Sequence, residues 1–354
     1  MSVSFEIGIL PNRPVSECLS LSRQAEECGY GGVWIADSQC VMRDAYILLS
    51  QIALQTSRIR VASGVTNTIT RHPAVLANSW ATLHEVSNGR AILGIGVGES
   101  AVHTLGFKPD RLASLENKIT LLRALMKGQE TEYQGCRFHL TWCDVEVPIV
   151  MACSGPKSLQ LGGRVADGVL FQVGADPALV QYALDNIRLG AEQAGRRFEE
   201  IKLYMRVATA VSPHRDMARE QIKGYASVAA GTVFKTVPRE YFPDDLWSQL
   251  EAFKAKYDYF EHGSNRAKHQ ALLTDTIIDT VCIAGSPEEA IPRFKAIADM
   301  GVDAFVWPAN MVDAGHFIQT FADRVMPAFA AEGQAIKQST SKPKSCRNTT
   351  GHRL

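Results

Sequence analysis

With 354 residues, 46% of them hydrophobic and 21% charged, the chain has ample apolar mass for a full core and fits two average domains or one α/β barrel. A formal net charge of +0 excludes the strong basic field by which a protein holds nucleic acid or an acidic membrane surface. Charge is skewed only at the end. Residues 331–354 carry Lys337, Lys342, Lys344, Arg347 and Arg353 against Glu332 alone, with no apolar period, which predicts a disordered basic tail beside a folded unit of residues 1–330.

The first ten residues, MSVSFEIGIL, lack the basic start and small cleavage residues of a signal peptide and read as a strand. No apolar run approaches the length of a membrane helix. The eight cysteines form no Cys-x-x-Cys pair, which predicts reduced thiols and a cytoplasmic protein. The nine histidines include no His-Glu-x-x-His, so no metal site is expected.

Phe5 to Leu10 predicts the first strand. Val15, Cys18, Leu19 and Ala25 mark one face of a helix closed by Gly29. Gly32 to Ala36 is the second strand, ending in Asp37-Ser38, and Asp44 to Thr56 the next helix. Ile59 to Val65 is the third strand. It runs into Thr66 and Asn67, and Pro73 then opens a helix with Leu76, Trp80 and Leu83 on one side. Gly89 stops that helix, and Ala91 to Val97 is the fourth strand, followed by a helix marked by Leu115, Ile119, Leu122 and Met126. Residues 131–145 read as a small hairpin insertion. Pro148 to Ala152 is the fifth strand, Gly168 to Val173 the sixth and Ile201 to Val211 the seventh. Residues 213–280 are polar-helical with scattered aromatics, an inserted helical layer. Ile283 to Pro287 opens a helix to Met300, Ala304 to Pro308 is the eighth strand, and His316 to Phe329 the last helix. Eight buried strands alternating with helices predict a (β/α)8 TIM barrel, with a doubly wound open sheet as the other possibility.

In a barrel the chemistry gathers at the carboxyl ends of the strands. Here those ends supply Asp37 and Ser38; Thr66 and Asn67; Gly98, Glu99 and Ser100; Ser154 and Gly155; Gln172 and Gly174; Arg206; and Trp307. Gly94-x-Gly96-x-Gly98-Glu99 fails the dinucleotide fingerprint because Glu99 stands where the third glycine belongs. Gly94 and Gly96 are better explained as small residues that let neighbouring strands approach. Asp37 suits a general acid or base and equally the N-cap of a following turn. Ser154-Gly155-Pro156-Lys157-Ser158 has the logic of a phosphate turn at a helix start, although a plain helix start capped by Ser154 is the more economical reading. His72 before Pro73 braces its turn, and Arg71 pairs with a nearby carboxylate.

Taken together, SGVTNTITRHPAV, NGRAILGIGVGES and ACSGPKSLQLGGRVADGVL resemble the luciferase-like family of flavin and deazaflavin oxidoreductases over residues 3–330. They look most like the branch that includes methylenetetrahydromethanopterin reductase. The resemblance implies a non-prolyl cis peptide at Gly64-Val65, behind the cofactor ring, with Thr66 and Asn67 at the ring edge. It implies that Gly98-Glu99 matches the glutamate near ring and substrate, and Asp37 the acidic site of the second strand. Ser154, Gly155 and Ser158 match the cofactor-phosphate turn. The catalytic candidates are therefore Asp37 and Glu99. The implied cofactor is reduced FMN or the deazaflavin coenzyme F-420. Ser38 stands where many relatives carry histidine, so no imidazole is assigned there. The first expectation is a monooxygenase using reduced FMN and O2 on a small organic substrate, with a separate flavin reductase as partner. The alternatives are a deazaflavin-dependent reductase or dehydrogenase, and a non-catalytic flavin-binding protein. A homodimer is expected, and neither nucleic acid nor membrane as partner.

Overall fold

A computed structural model of the chain describes residues 3–257, 268–308 and 313–330. Eight parallel strands form its centre: β1 (Ser4–Ile9), β2 (Gly32–Ile35), β3 (Arg60–Ser63), β4 (Ala91–Gly96), β5 (Ile149–Cys153), β6 (Gly168–Phe171), β7 (Lys202–Arg206) and β8 (Ala304–Pro308). Each pairs with its sequence neighbour, and β1 pairs with β8 through Glu6 and Val306, which closes the ring. The architecture is the expected TIM barrel. Its strands are near-continuous apolar runs because a barrel strand is covered on both faces, by the interior and by helices. The expected tail, residues 331–354, lies outside the described residues.

Two cores follow from the two faces. The inner one stacks Trp34, Ala62, Ile92, Val150, Leu170, Tyr204, Ala304 and Val306. The outer one packs alternate strand residues, such as Leu203 and Met205 of β7, against the helices. The helix Val15–Glu27 buries Cys18, Leu21, Ser22 and Ala25, a spacing of three and four that lays one stripe on the barrel. Gly94 has no room for a side chain, since a Cβ there would lie 1.9 Å from the Ser63 carbonyl oxygen. That contact is the close strand approach read from the sequence. At the amino-terminal floor, Glu6 is fully buried and accepts from Trp34 Nε1 at 2.6 Å, from Ser4 Oγ at 3.2 Å and from Arg60.

The hairpin insertion is present as Thr131–Tyr133 paired antiparallel with Cys136–Phe138. The seventh strand corrects the expectation. It leaves the barrel after Arg206, and Ala208–Val211 instead pairs in parallel with Cys282–Gly285, a strand read from sequence as a helix opening. The inserted layer contains helices Arg215–Thr236, Asp244–Ala255 and Asp275–Val281. Its aromatics are packed, as in the Phe234–Trp247 stack at 4.4 Å, while Tyr259 and Phe260 lie outside the described residues. The seven described cysteines are all free; Cys18, Cys153 and Cys282 are buried and Cys40 and Cys136 exposed. Among the described residues no helix is long and apolar enough to cross a membrane.

Candidate active site

Strand β3 does not end at Ser63. The Gly64–Val65 peptide is cis, at the position the resemblance gave, and the chain then resumes pairing with β4 as Thr66 opposite Ile95 and Asn67 opposite Gly96. This bulge puts Gly64 and Val65 at the barrel mouth and buries Thr66 and Asn67 beside it. Asn67 Oδ1 accepts from the amides of Ile69 and Thr70, both at 2.9 Å, and so fixes the turn after the strand. Its Nδ2 is buried without a partner, which is costly unless something else accepts from it. Beyond the turn, Thr68 Oγ1 donates to Asp110 Oδ2 at 2.5 Å, and Lys118 pairs with the same carboxylate at 2.7 Å. That anchor connects parts of the chain too far apart in sequence to be linked by a local motif.

Asp37, at the end of β2, is buried. Its carboxylate accepts from Thr66 Oγ1 at 2.6 Å, from Arg71 at 2.9 Å and from Gln39 at 2.6 Å. Arg71 also reaches Asp44 and lies 3.8 Å from the centre of the Tyr46 ring. Tyr46 in turn shares a hydrogen bond with Thr66, and burial pushes its phenol up to about 12, so it stays neutral. Asp37 is thus the hub that orients Thr66. It caps no helix; Asp44 caps Ala45–Gln55. Arg71 pairs with carboxylates as expected, and His72 caps the helix Pro73–Val86 through Nδ1 and the Ala74 amide at 3.2 Å.

Gly98 ends the β4 unit at φ +76°, and a Cβ there would lie 2.7 Å from Val102 and 2.9 Å from Asn67. Only glycine suits both the conformation and the space. Glu99 follows on the rim. It is exposed and pairs with Lys235 Nζ at 3.0 Å, near the end of the inserted helix Arg215–Thr236. The next residue of that helix, Thr236, has its carbonyl oxygen 3.8 Å from where a Cβ on Gly155 would lie. The inserted layer therefore overhangs the mouth between β4 and β5.

At the end of β5 the helix Pro156–Val165 begins on Gly155 with no side-chain cap. This corrects the economical reading, in which Ser154 was the cap. The Ser154 amide donates to Ser158 Oγ at 3.3 Å, and Ser158 Oγ donates to the Gly155 carbonyl at 2.8 Å, so Ser154, Gly155 and Ser158 form one compact turn. An uncapped helix start of this kind leaves amide donors for an anion.

The expected catalytic and cofactor-binding residues thus occupy one arc of the mouth, from β2 through β5, whereas Trp307 of β8 is buried in the outer core. Across the ring stands Arg206, the last residue of β7. With Leu10, Trp34, Gly64, Leu170, Val306 and Pro308 it lines a narrow cleft that opens to solvent. A larger open groove on the outer wall is lined by Arg215, Asp275, Asp279, Glu289 and Arg293. Arg215 pairs with Glu289, Asp275 and Asp279 pair with Arg219, and Arg293 donates to the Asp279 carbonyl.

The family model of luciferase-like monooxygenases matches residues 3–304. The chain is 29% identical to the 5,10-methylenetetrahydromethanopterin reductase of Methanolobus tindarius over 312 residues, covering 86% of this chain and 93% of that one. It is 26% identical to the coenzyme F-420-dependent glucose-6-phosphate dehydrogenase of Nakamurella multipartita, covering 89% and 93%. Among solved structures, the coenzyme F-420-dependent tetrahydromethanopterin reductase of Methanopyrus kandleri superposes with a TM-score of 0.77 at 24% identity, covering 93% of this chain and all of that one. A Streptomyces bottropensis monooxygenase superposes with a TM-score of 0.64 at 20% identity, covering 92% of this chain and all of that one. A match over 3–304 spans β1 to β7 and includes Asp37, Thr66, Asn67, Glu99, Ser154 and Ser158, and the chain belongs to the luciferase-like oxidoreductase family.

Proposed function

We propose that the chain is a coenzyme F-420-dependent reductase or dehydrogenase, in preference to the FMN monooxygenase first expected. The observation that carries this reading is that relatives named as coenzyme F-420-dependent dehydrogenases align across almost nine-tenths of this chain and 93% of their own. The monooxygenase structures are at 15–20% identity and speak for the fold alone.

The mouth fits a cofactor with a polar ring edge and a phosphate. The buried, unpartnered Nδ2 of Asn67 needs an acceptor, and the uncapped helix start at Gly155 offers amide donors to an anion. Gly64, Val65, Thr66 and Asn67 would hold the ring, with Gly98 giving the clearance that lets Asn67 sit where it does. Ser154, Gly155 and Ser158 would hold the phosphate. The deazaflavin supplies a hydride donor or acceptor that moves two electrons together. Asp37 has its oxygens taken by Arg71, Thr66 and Gln39, so its role is to fix Thr66. Glu99, on the open rim, is the group placed to exchange a proton with the substrate, and its Lys235 pair must part to do so.

Anaerobic titration of the purified chain with coenzyme F-420 and with FMN, followed by absorbance, tests the reading. Saturable F-420 binding that FMN does not displace is expected. Tight FMN binding without F-420 binding would overturn it in favour of the monooxygenase. Glu99→Gln should lower turnover by about tenfold or more while leaving cofactor affinity near wild type. Bound cofactor with no substrate-dependent turnover in any assay would point to the non-catalytic alternative.

A further inference from the structure

Arg206 is a half-buried cation in an otherwise uncharged cleft. Its direction follows from strand geometry. Tyr204, two residues earlier, belongs to the inner core, so Arg206 lies on the same inward face of β7, one step nearer the mouth. Its backbone is fixed by pairing with Val306 of β8. Among the described residues no carboxylate lies within ion-pair distance of it, whereas Arg60, Arg71 and Arg219 each have one. Its aromatic neighbour is Tyr225, with the guanidinium 5.7 Å from the ring centre. Tyr225 is buried, and burial raises its phenol, so it brings no negative charge. The cleft walls are Leu10, Trp34, Leu170, Val306 and Pro308, which lower the local dielectric and strengthen any ion pair formed there.

A cation held among apolar walls without a counter-charge is stabilised when a ligand brings one. In the strand order of the barrel, β7 lies across the ring from β3, so Arg206 faces the bulge at Gly64 from the far side of the same cleft. We propose that Arg206 is the specificity residue for an anionic group, a carboxylate or phosphate, on a small organic substrate with an apolar body. The guanidinium fork matches either group with two parallel hydrogen bonds. As a statement about substrate class, this rests on the hydride-transfer reading of the mouth.

The test is calorimetric titration of benzoate and of inorganic phosphate into the full chain, without cofactor, for wild type, Arg206→Gln and Arg206→Lys. Saturable binding of at least one anion is expected, and the anion that binds identifies which group the site takes. Arg206→Gln should weaken it by about tenfold or more, with Arg206→Lys in between. Coenzyme F-420 affinity should stay near wild type in both variants. Protection of Arg206 from phenylglyoxal by the bound anion, read by peptide mass spectrometry, tests the same contact in the unaltered protein. Binding of neither anion to wild type, unchanged binding in Arg206→Gln, or no protection would each overturn the proposal. If anions bind through Arg206 but coenzyme F-420 does not bind, the cofactor reading falls and the anion site stands.

Discussion

Asp37 and Glu99 differ more than their matching positions at strand ends suggest. Asp37 is buried, with three side-chain donors on its carboxylate; Glu99 is exposed, with a lysine from the inserted layer. Both positions are legible in sequence, because a polar residue closing an apolar strand is a local signal. Their environments are not, because Arg71 lies 34 residues from Asp37 and Lys235 lies 136 from Glu99. The contrast separates the two in experiment. Asp37→Asn keeps the shape but leaves Arg71 without its buried counter-charge, and Asp44, on the exposed side, compensates only in part. We expect a loss of about 2–3 kcal/mol in stability together with weakened cofactor binding, since Thr66 loses its anchor. Glu99→Gln should do neither. Denaturant melts and cofactor titration on the two variants check this, and equal effects would show that Asp37 does not act as the hub.

The strand–turn–helix units were readable wherever proline, glycine or a capping residue punctuates the chain. Pro73 and Pro156 each start a helix, and the seven strands bounded by such signals fell in place. The seventh strand shows what is lost without them. Ile201 to Val211 contains no proline or glycine to break it, and only the tertiary partner at Cys282–Gly285 divides it. Loops are also fixed by distant groups. Glu26, near the end of the first helix, accepts from the amides of Ser57, Arg58 and Ile59 at 2.8–3.0 Å and so holds the approach to β3. Burial pulls this carboxyl upward, but the amide donors outweigh it and hold it at about 2, below its ordinary 4.5. A lowered folded-state value stabilises the protein above the unfolded value, so the contribution is complete above about pH 4.5 and is lost as pH falls toward 2. Glu26→Gln should cost about 1–2 kcal/mol at neutral pH, after allowance for partial exposure. The gap between wild type and variant in urea melts should narrow between pH 4.5 and 2; a constant gap would mean that the charge is not what holds the loop.

At the scale of the molecule, the two ends of the barrel carry different duties. The carboxyl-terminal mouth gathers the residues of the site, whereas the floor is sealed by Glu6, which ties Ser4 and β1 to Trp34 on β2 and Arg60 on β3. Glu6 is one polar residue in an apolar strand, and nothing local in SFEIGI marks it as inward-facing and fully buried. A buried carboxylate needs its partners, so removing one partner costs more than removing both. Glu6→Gln should lower stability by about 2–3 kcal/mol, less than a wholly enclosed pair because a third of the Arg60 side chain is exposed. Replacing Glu6 and Arg60 together by methionine should restore most of that loss, since two flexible apolar side chains can fill the floor without an orphaned charge. Cofactor affinity should be unchanged in both proteins, because the floor is at the end of the strands opposite the mouth. Denaturant midpoints measured beside cofactor titrations decide it: a single variant as stable as wild type would show that the floor is held by apolar packing alone, and a loss of cofactor affinity in the double variant would show that the two ends of the barrel are mechanically coupled.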